Sequence, residues 1–79
     1  MTQLTVEMEV SPGTTIEDAA VEACQIATKI RVGVGFKHNG VECVALPDGD
    51  WRELVGLWYL IMAEHTTNRV AFAHPKEKS

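Results

Sequence analysis

The side chains of this sequence that could do chemistry are three histidines, two cysteines and a scatter of carboxylates. Zinc sites need cysteine and histidine ligands at short, fixed spacings, such as two cysteines two residues apart. His38, His65 and His74 match none of these spacings, and neither do Cys24 and Cys43. The sequence therefore predicts no metal site and no cofactor.

The two cysteines are also candidate nucleophiles by residue type. A reactive thiol needs a base and an anion-binding group close to it. The predicted elements place Cys24 at the edge of the apolar side of a helix and Cys43 on the core side of a strand, with no histidine beside either. Gly33 and Gly35 lie inside a strand, and no Lys-Ser/Thr pair follows them as in a phosphate-binding loop. We therefore expect no catalytic residues and no enzyme activity.

Composition and charge point to a globular domain with a mild acidic excess. The 79 residues include 7 Lys and Arg against 11 Asp and Glu, which gives a net charge of −4. The basic footprint of a nucleic-acid-binding protein is absent, so we expect no direct nucleic-acid binding. A nucleic-acid mimic stays open as an alternative, although the acidic residues divide between the sheet and the first helix.

The sequence also bears on the compartment. The longest apolar run, Leu54 to Ala63, is interrupted by Gly56 and is shorter than the ~20 residues needed to cross a bilayer. No signal peptide is recognisable at the N-terminus. Two cysteines are too few for a secreted disulfide scaffold, so we expect a reducing cytoplasm and no membrane partner.

The first half of the chain has clear periodicity. Apolar residues alternate from Leu4 to Val10 and predict a strand, which Ser11-Pro12-Gly13 ends. A capping box starting at Thr14 or at Thr15 then begins a helix, whose apolar stripe runs from Ile16 to Ile30.

A hairpin and a second helix follow. Asn39-Gly40 is a strong signal for a two-residue turn, and it sets Lys37 opposite the acidic Glu42 on the return strand. Asp48 or Asp50 can cap the second helix, and His65 is expected near its end, capping carbonyls or completing the apolar side. Residues 68–74 are open between a fourth strand and no strand.

The order of elements is thus β-α-β-β-α, with a sixth element making β-α-β-β-α-β. It predicts an α+β, two-layer sandwich with both helices on one face of an antiparallel sheet. This is the ferredoxin-like pattern or, without the last strand, a three-stranded variant. We expect one domain over residues 1–75 and a charged tail over 76–79.

Two surfaces are expected to bind a partner. Val44 and Leu46 should lie on the sheet face away from the helices, next to glycines that leave the backbone accessible. On the second helix, Leu57 and Leu60 lie outside the apolar stripe, and Glu64 lies near them. Because two layers cannot hide all of these apolar side chains, the sequence predicts contact with another chain.

About a third of the chain resembles small proteins encoded by phages and prophages. The resemblance rests on the residues Val34-Gly35-Phe36-Lys37-His38-Asn39-Gly40-Val41, followed by Val44, Pro47, Asp50, Leu54 and Trp58. It implies a mobile-element protein that binds a host or defence component, as anti-CRISPR proteins do. It carries over no functional residues.

The leading hypothesis is a non-enzymatic, cytoplasmic protein-binding domain that forms a homodimer or blocks a macromolecular target. The alternative is a small-ligand sensor, or an accessory subunit of a larger complex. Its ligand would lie between the sheet and the helices near Trp51 or Trp58.

Overall fold

The computed structural model of the protein describes residues 5–65 and 69–75. The elements in chain order are β1 (Thr5–Glu7), α1 (Ile16–Ile30), β2 (Gly33–His38), β3 (Val41–Ala45), α2 (Trp51–Glu64) and β4 (Val70–Ala73). This confirms the α+β class and the β-α-β-β-α-β order, including the last strand that the sequence left open. Both helices pack on the same face of the four-stranded sheet, giving a two-layer sandwich consistent with the ferredoxin-like arrangement. The predicted tail over 76–79 and the first residue of the predicted strand, Leu4, lie outside the described residues.

The sheet is mixed and its strands lie in chain order. β1 pairs with β2 in parallel, β2 with β3 in antiparallel, and β3 with β4 in parallel. The expectation of an antiparallel sheet is therefore right for the central hairpin and wrong for the two outer pairs. A helix follows β1 and β3, and a strand that pairs with its neighbour across such a crossover runs parallel to it.

The central hairpin has the predicted register. Lys37 lies opposite Glu42, as the two-residue turn requires. Asn39 and Gly40 have φ angles of 52° and 81°, the left-handed values that such hairpin turns need. The sequence Asn-Gly thus determines how β2 and β3 align.

Both helices begin at a side-chain cap. The Thr15 hydroxyl oxygen accepts a hydrogen bond from the Asp18 amide at 3.1 Å, so the second of the two candidate threonines is the cap. The Asp50 carboxylate accepts from the Arg52 amide, also at 3.1 Å. At the other end of α2, His65 has a φ of 56°, and its backbone amide donates to carbonyls of the last turn. His65 therefore ends the helix through its backbone, and the residue is exposed.

β1 is shorter than predicted. The Met8 amide donates to the Gly35 carbonyl at 2.8 Å, and the chain then leaves the sheet. Met8 and Val10 still pack against the core as expected. Val6, which alternation placed toward the core, is 48% exposed, because β1 is an edge strand and α1 packs mainly over β2 and β3.

The core places small side chains where the layers meet most closely. On α1, Ala20, Ala23 and Ala27 are fully buried, which lets the helix approach the sheet. On β4, Ala71 and Ala73 are fully buried beneath α2. Because strand side chains alternate, β4 directs its large side chains away from the helices.

Both described helices are short compared with the thickness of a bilayer. α1 has 15 residues and α2 has 14, against the ~20 that cross a bilayer. Within the described residues, neither helix is long and apolar enough to span a membrane.

Candidate functional site

Within residues 5–65 and 69–75, the helices cover one face of the sheet and leave the other open. Alternation along the strands and the pairing register assign side chains to this uncovered surface. We call it the open sheet face, and it consists of Thr5, Glu7, Gly33, Gly35, Lys37, Glu42, Val44, Leu46, Val70 and Phe72.

One half of the open sheet face is apolar. Val44 of β3 and Phe72 of β4 are neighbours in the register, and Leu46 and Val70 extend the apolar area along the two strands. All four are half-buried. The structure thus brings together Val44 and Leu46, which the sequence singled out, with two residues that it did not. The alternation on β4 groups Val70 with Phe72, but it does not indicate which side of the strand faces the helices.

The glycines of β2 are less accessible than expected. Gly33 and Gly35 are both buried, so the expectation of an accessible backbone is wrong. A Cβ at Gly35 would lie 3.3 Å from Thr5 Cγ2, and one at Gly33 would lie 3.5 Å from Leu46 Cδ2. Side chains of the neighbouring strands therefore lean over the glycines.

An open depression remains beside Gly35. Its volume is about 540 Å³, and it is lined by residues of β1, β2 and β3 together with Met8. The missing side chain at Gly35 leaves this hollow next to the raised side chain of Val44. The open sheet face is therefore low beside Gly35 on β2 and high at Val44 on β3.

Charged side chains border the apolar half. Lys37 and Glu42 are cross-strand neighbours at one end, and Glu7 lies on β1. All three are exposed. Within the described part of the chain, the ion pairs join other residues, so neither Lys37 nor Glu42 is held by one. Their charges are available to a partner.

The second predicted surface, on α2, is less continuous. Leu57 is half-buried against the core, which removes part of its side chain from this surface. Leu60 is 46% exposed. The Glu64 carboxylate accepts a hydrogen bond from Arg69 Nη1 at 2.9 Å, so it already has a partner within the chain. A single exposed leucine is common on protein surfaces.

Tyr59 adds an aromatic ring to the exposed side of α2. It is 52% exposed, and its hydroxyl donates to Glu17 Oε2 at 3.0 Å. This hydrogen bond and the negative charge of Glu17 raise the pKa of Tyr59. The contact links the two helices at the surface.

The two cysteines are buried free thiols. Burial, with a smaller effect from the negative charge of Asp50, raises the pKa of Cys24 to about 11. Burial raises the pKa of Cys43 to about 12. Both side chains are therefore protonated at neutral pH, and a protonated thiol is a poor nucleophile.

His38 and His74 each take part in contacts that join two elements of the fold. Trp58 Nε1 donates to the His38 carbonyl at 3.0 Å, and the two rings meet edge to face. Glu53 Oε1 accepts a hydrogen bond from the backbone amide of His74 at 2.7 Å, and Glu53 Oε2 lies 2.8 Å from His74 Nδ1. Burial alone would raise the pKa of Glu53, but these hydrogen bonds and the charge of His74 lower it. They fasten the start of α2 to the end of β4.

No group of three or more potential metal ligands forms among residues 5–65 and 69–75. A second, shallower depression of about 410 Å³ lies on the surface between α1 and the start of α2. Its lining includes Cys24, Gln25 and Trp51. It lies beside Trp51 and away from the buried indole of Trp58.

Comparisons with known proteins give no family for this chain. No family model matches it, and neither does any curated protein or any solved structure. The resemblance to phage and prophage proteins therefore stays a prediction.

Proposed function

We propose that this chain is a non-enzymatic protein-binding domain that acts through the open sheet face. The support is the apolar half of that face, where Val44 and Phe72 lie side by side without a helix over them. Apolar side chains grouped on one surface and bordered by charges are typical of protein-protein contact sites. The α2 surface offers fewer such groups, with Leu60 as its main apolar side chain.

The test uses tagged protein as bait in a bacterial lysate, with two variants matched in chemistry. Val44→Asp places a charge in the apolar half of the open sheet face, and Leu60→Glu places one on α2. We expect wild type and Leu60→Glu to retain the same protein and Val44→Asp to lose it. Equal recovery by Val44→Asp would contradict the proposal, and loss with Leu60→Glu alone would move the contact to α2.

The finer proposal is that the chain is phage-encoded and inhibits a host or defence complex in the bacterial cytoplasm by protein-protein contact. Its support is the resemblance over Val34–Val41 and the positions that follow it. Expression in bacteria that carry a defence system should raise phage plating efficiency, and Val44→Asp should abolish the gain. Unchanged plating across a panel of defence systems would count against this proposal.

A small-ligand sensor, or an accessory subunit that senses a ligand, is the second candidate, and the depression beside Trp51 favours it. Because the chain has two tryptophans, Trp58→Phe leaves Trp51 as the one indole reporter. A metabolite screen should then shift the fluorescence of Trp58→Phe but not that of Trp51→Phe. Circular dichroism confirms that each variant is folded, and no shift at millimolar metabolite would exclude the candidate.

A further inference from the structure

We propose that the open sheet face pairs with the open sheet face of a second copy of this chain. This inference rests on the proposed function, because it takes the same face as the binding surface and names its partner. A symmetric dimer uses one patch twice, so each part of the patch must complement another part of itself. The register of the central hairpin meets this condition in shape and in charge.

The symmetry axis that fits runs along the strands, between β2 and β3 and in the plane between the two copies. Rotation about it places β2 of one copy over β3 of the other and keeps each side chain at its own level along the strands. Residues that are cross-strand neighbours within one chain therefore become facing residues between chains. The pairs Gly35–Val44 and Lys37–Glu42 are such neighbours.

The shapes match at the level of Gly35. The depression beside Gly35 in one copy faces the side chain of Val44 in the other, and the symmetry repeats this contact. At Gly33 the same chain's Leu46 already occupies the space, since Leu46 Cδ2 lies 3.5 Å from a Cβ built there, so this fit is confined to the level of Gly35. Val44 on β3 of each copy therefore lies over the depression beside Gly35 on β2 of the other.

The charges match at the next level. Lys37 of one copy faces Glu42 of the other, again twice by symmetry. Neither side chain takes part in an ion pair among the described residues, so both can form the intermolecular pair. Packed sheets lie ~10 Å apart, a distance that a lysine and a glutamate side chain can bridge together.

The area predicts a weak dimer. Strands ~4.8 Å apart that rise ~3.3 Å per residue give the four-stranded face roughly 350 Å² in projection. With the relief of the side chains, pairing buries roughly 1,000 Å² in total, at the small end of specific interfaces. We expect the wild type to pass from monomer to dimer between about 1 and 100 μM.

Sedimentation velocity on Lys37→Glu, Glu42→Lys and their mixture tests the arrangement. In each variant alone, like charges face each other between copies, and the dissociation constant should rise about tenfold or more. In the equimolar mixture, one chain carries two acidic and the other two basic side chains at these positions. The mixture should form a heterodimer with a dissociation constant close to that of the wild type. A pair that acted only within one chain would not be rescued by mixing.

A wild type that stays monomeric at 1 mM, or a mixture that stays as weak as its components, overturns the second-copy inference. Lys37 and Glu42 are exposed, so we expect both variants to fold as monomers. Thermal melts of the dilute variants check that unfolding is not the cause of weaker association. The capture experiment with Val44→Asp judges the proposed function separately. Loss of capture together with a monomeric wild type leaves a heterologous partner on this face.

Discussion

Replacing Gly49 with alanine should destabilise the protein strongly, because the added methyl group would clash with neighbouring backbone atoms. A Cβ at this position would lie 2.5 Å from the Ala73 carbonyl oxygen and 2.8 Å from that of Leu46. Carbon and carbonyl oxygen atoms approach each other to about 3.3 Å. The Ala73 carbonyl or the loop must therefore move by roughly 0.8 Å.

That movement disturbs the connection between β4 and the loop before α2. The Ala73 carbonyl accepts from the Leu46 amide at 3.1 Å, and the Leu46 carbonyl accepts from the Gly49 amide at 2.9 Å. Overpacking costs about 1–3 kcal/mol, and each weakened hydrogen bond adds about 1 kcal/mol at most. We expect the free energy of unfolding to fall by about 3 kcal/mol, out of roughly 4–12 kcal/mol for a chain of this length.

Urea unfolding followed by circular dichroism measures this change, and Gly56→Ala is its control. Gly56 is exposed inside α2, and nothing lies within 4 Å of a Cβ there. Alanine should therefore stabilise the helix by about 1 kcal/mol. The two glycine-to-alanine changes should shift the urea midpoint in opposite directions. If Gly49→Ala unfolds within about 0.5 kcal/mol of wild type, the steric reasoning is wrong.

Three further predictions concern side chains inside the domain. Because contact with His74 lowers the pKa of Glu53, this carboxylate adds stability above its unfolded pKa of about 4.3. The free energy of unfolding of wild type should exceed that of Glu53→Gln by about 1 kcal/mol at pH 7, and the difference should vanish as the pH falls through the lower folded pKa. Urea titrations at several pH values measure this difference. At pH 8, iodoacetamide should modify native Cys24 and Cys43 at least about 100-fold more slowly than the unfolded chain, since burial raises both pKa values; equal rates would contradict their burial. Thr28→Val should lower the thermal midpoint by several degrees and the free energy of unfolding by about 1 kcal/mol, because the Thr28 hydroxyl joins a carbonyl of α1 to an amide of the loop before α2; an unchanged melt would show that water replaces it.

Most of the fold could be predicted from short-range sequence patterns. The Asn39-Gly40 turn determines the hairpin register through two neighbouring residues, and each helix shows its buried side within a few turns. The pairing of β1 and β4 is not local, because each must cross a helix to find its neighbour. Parallel pairing of these strands could therefore not be derived from periodicity alone.

The composition of the open sheet face was predictable on β3 and not on β4. Val44 follows from the hairpin register, but Phe72 depends on which side of β4 faces α2. Large apolar residues usually face the core, yet α2 packs so closely over β4 that the positions facing it are the fully buried Ala71 and Ala73. The side chains of β4 must match in size those of the helix packed on it, so the sequence of β4 alone does not predict which of its sides faces the core.

The sequential strand order also divides the chain at its central turn. The segment before Asn39-Gly40 and the segment after it each contain two parallel strands and the helix between them. They meet along the β2–β3 ladder and across the helices. A nick at the turn would therefore separate two fragments that are each missing half a core and must recombine to fold. Both tryptophans belong to the second fragment, so their emission would report its reassembly with the first.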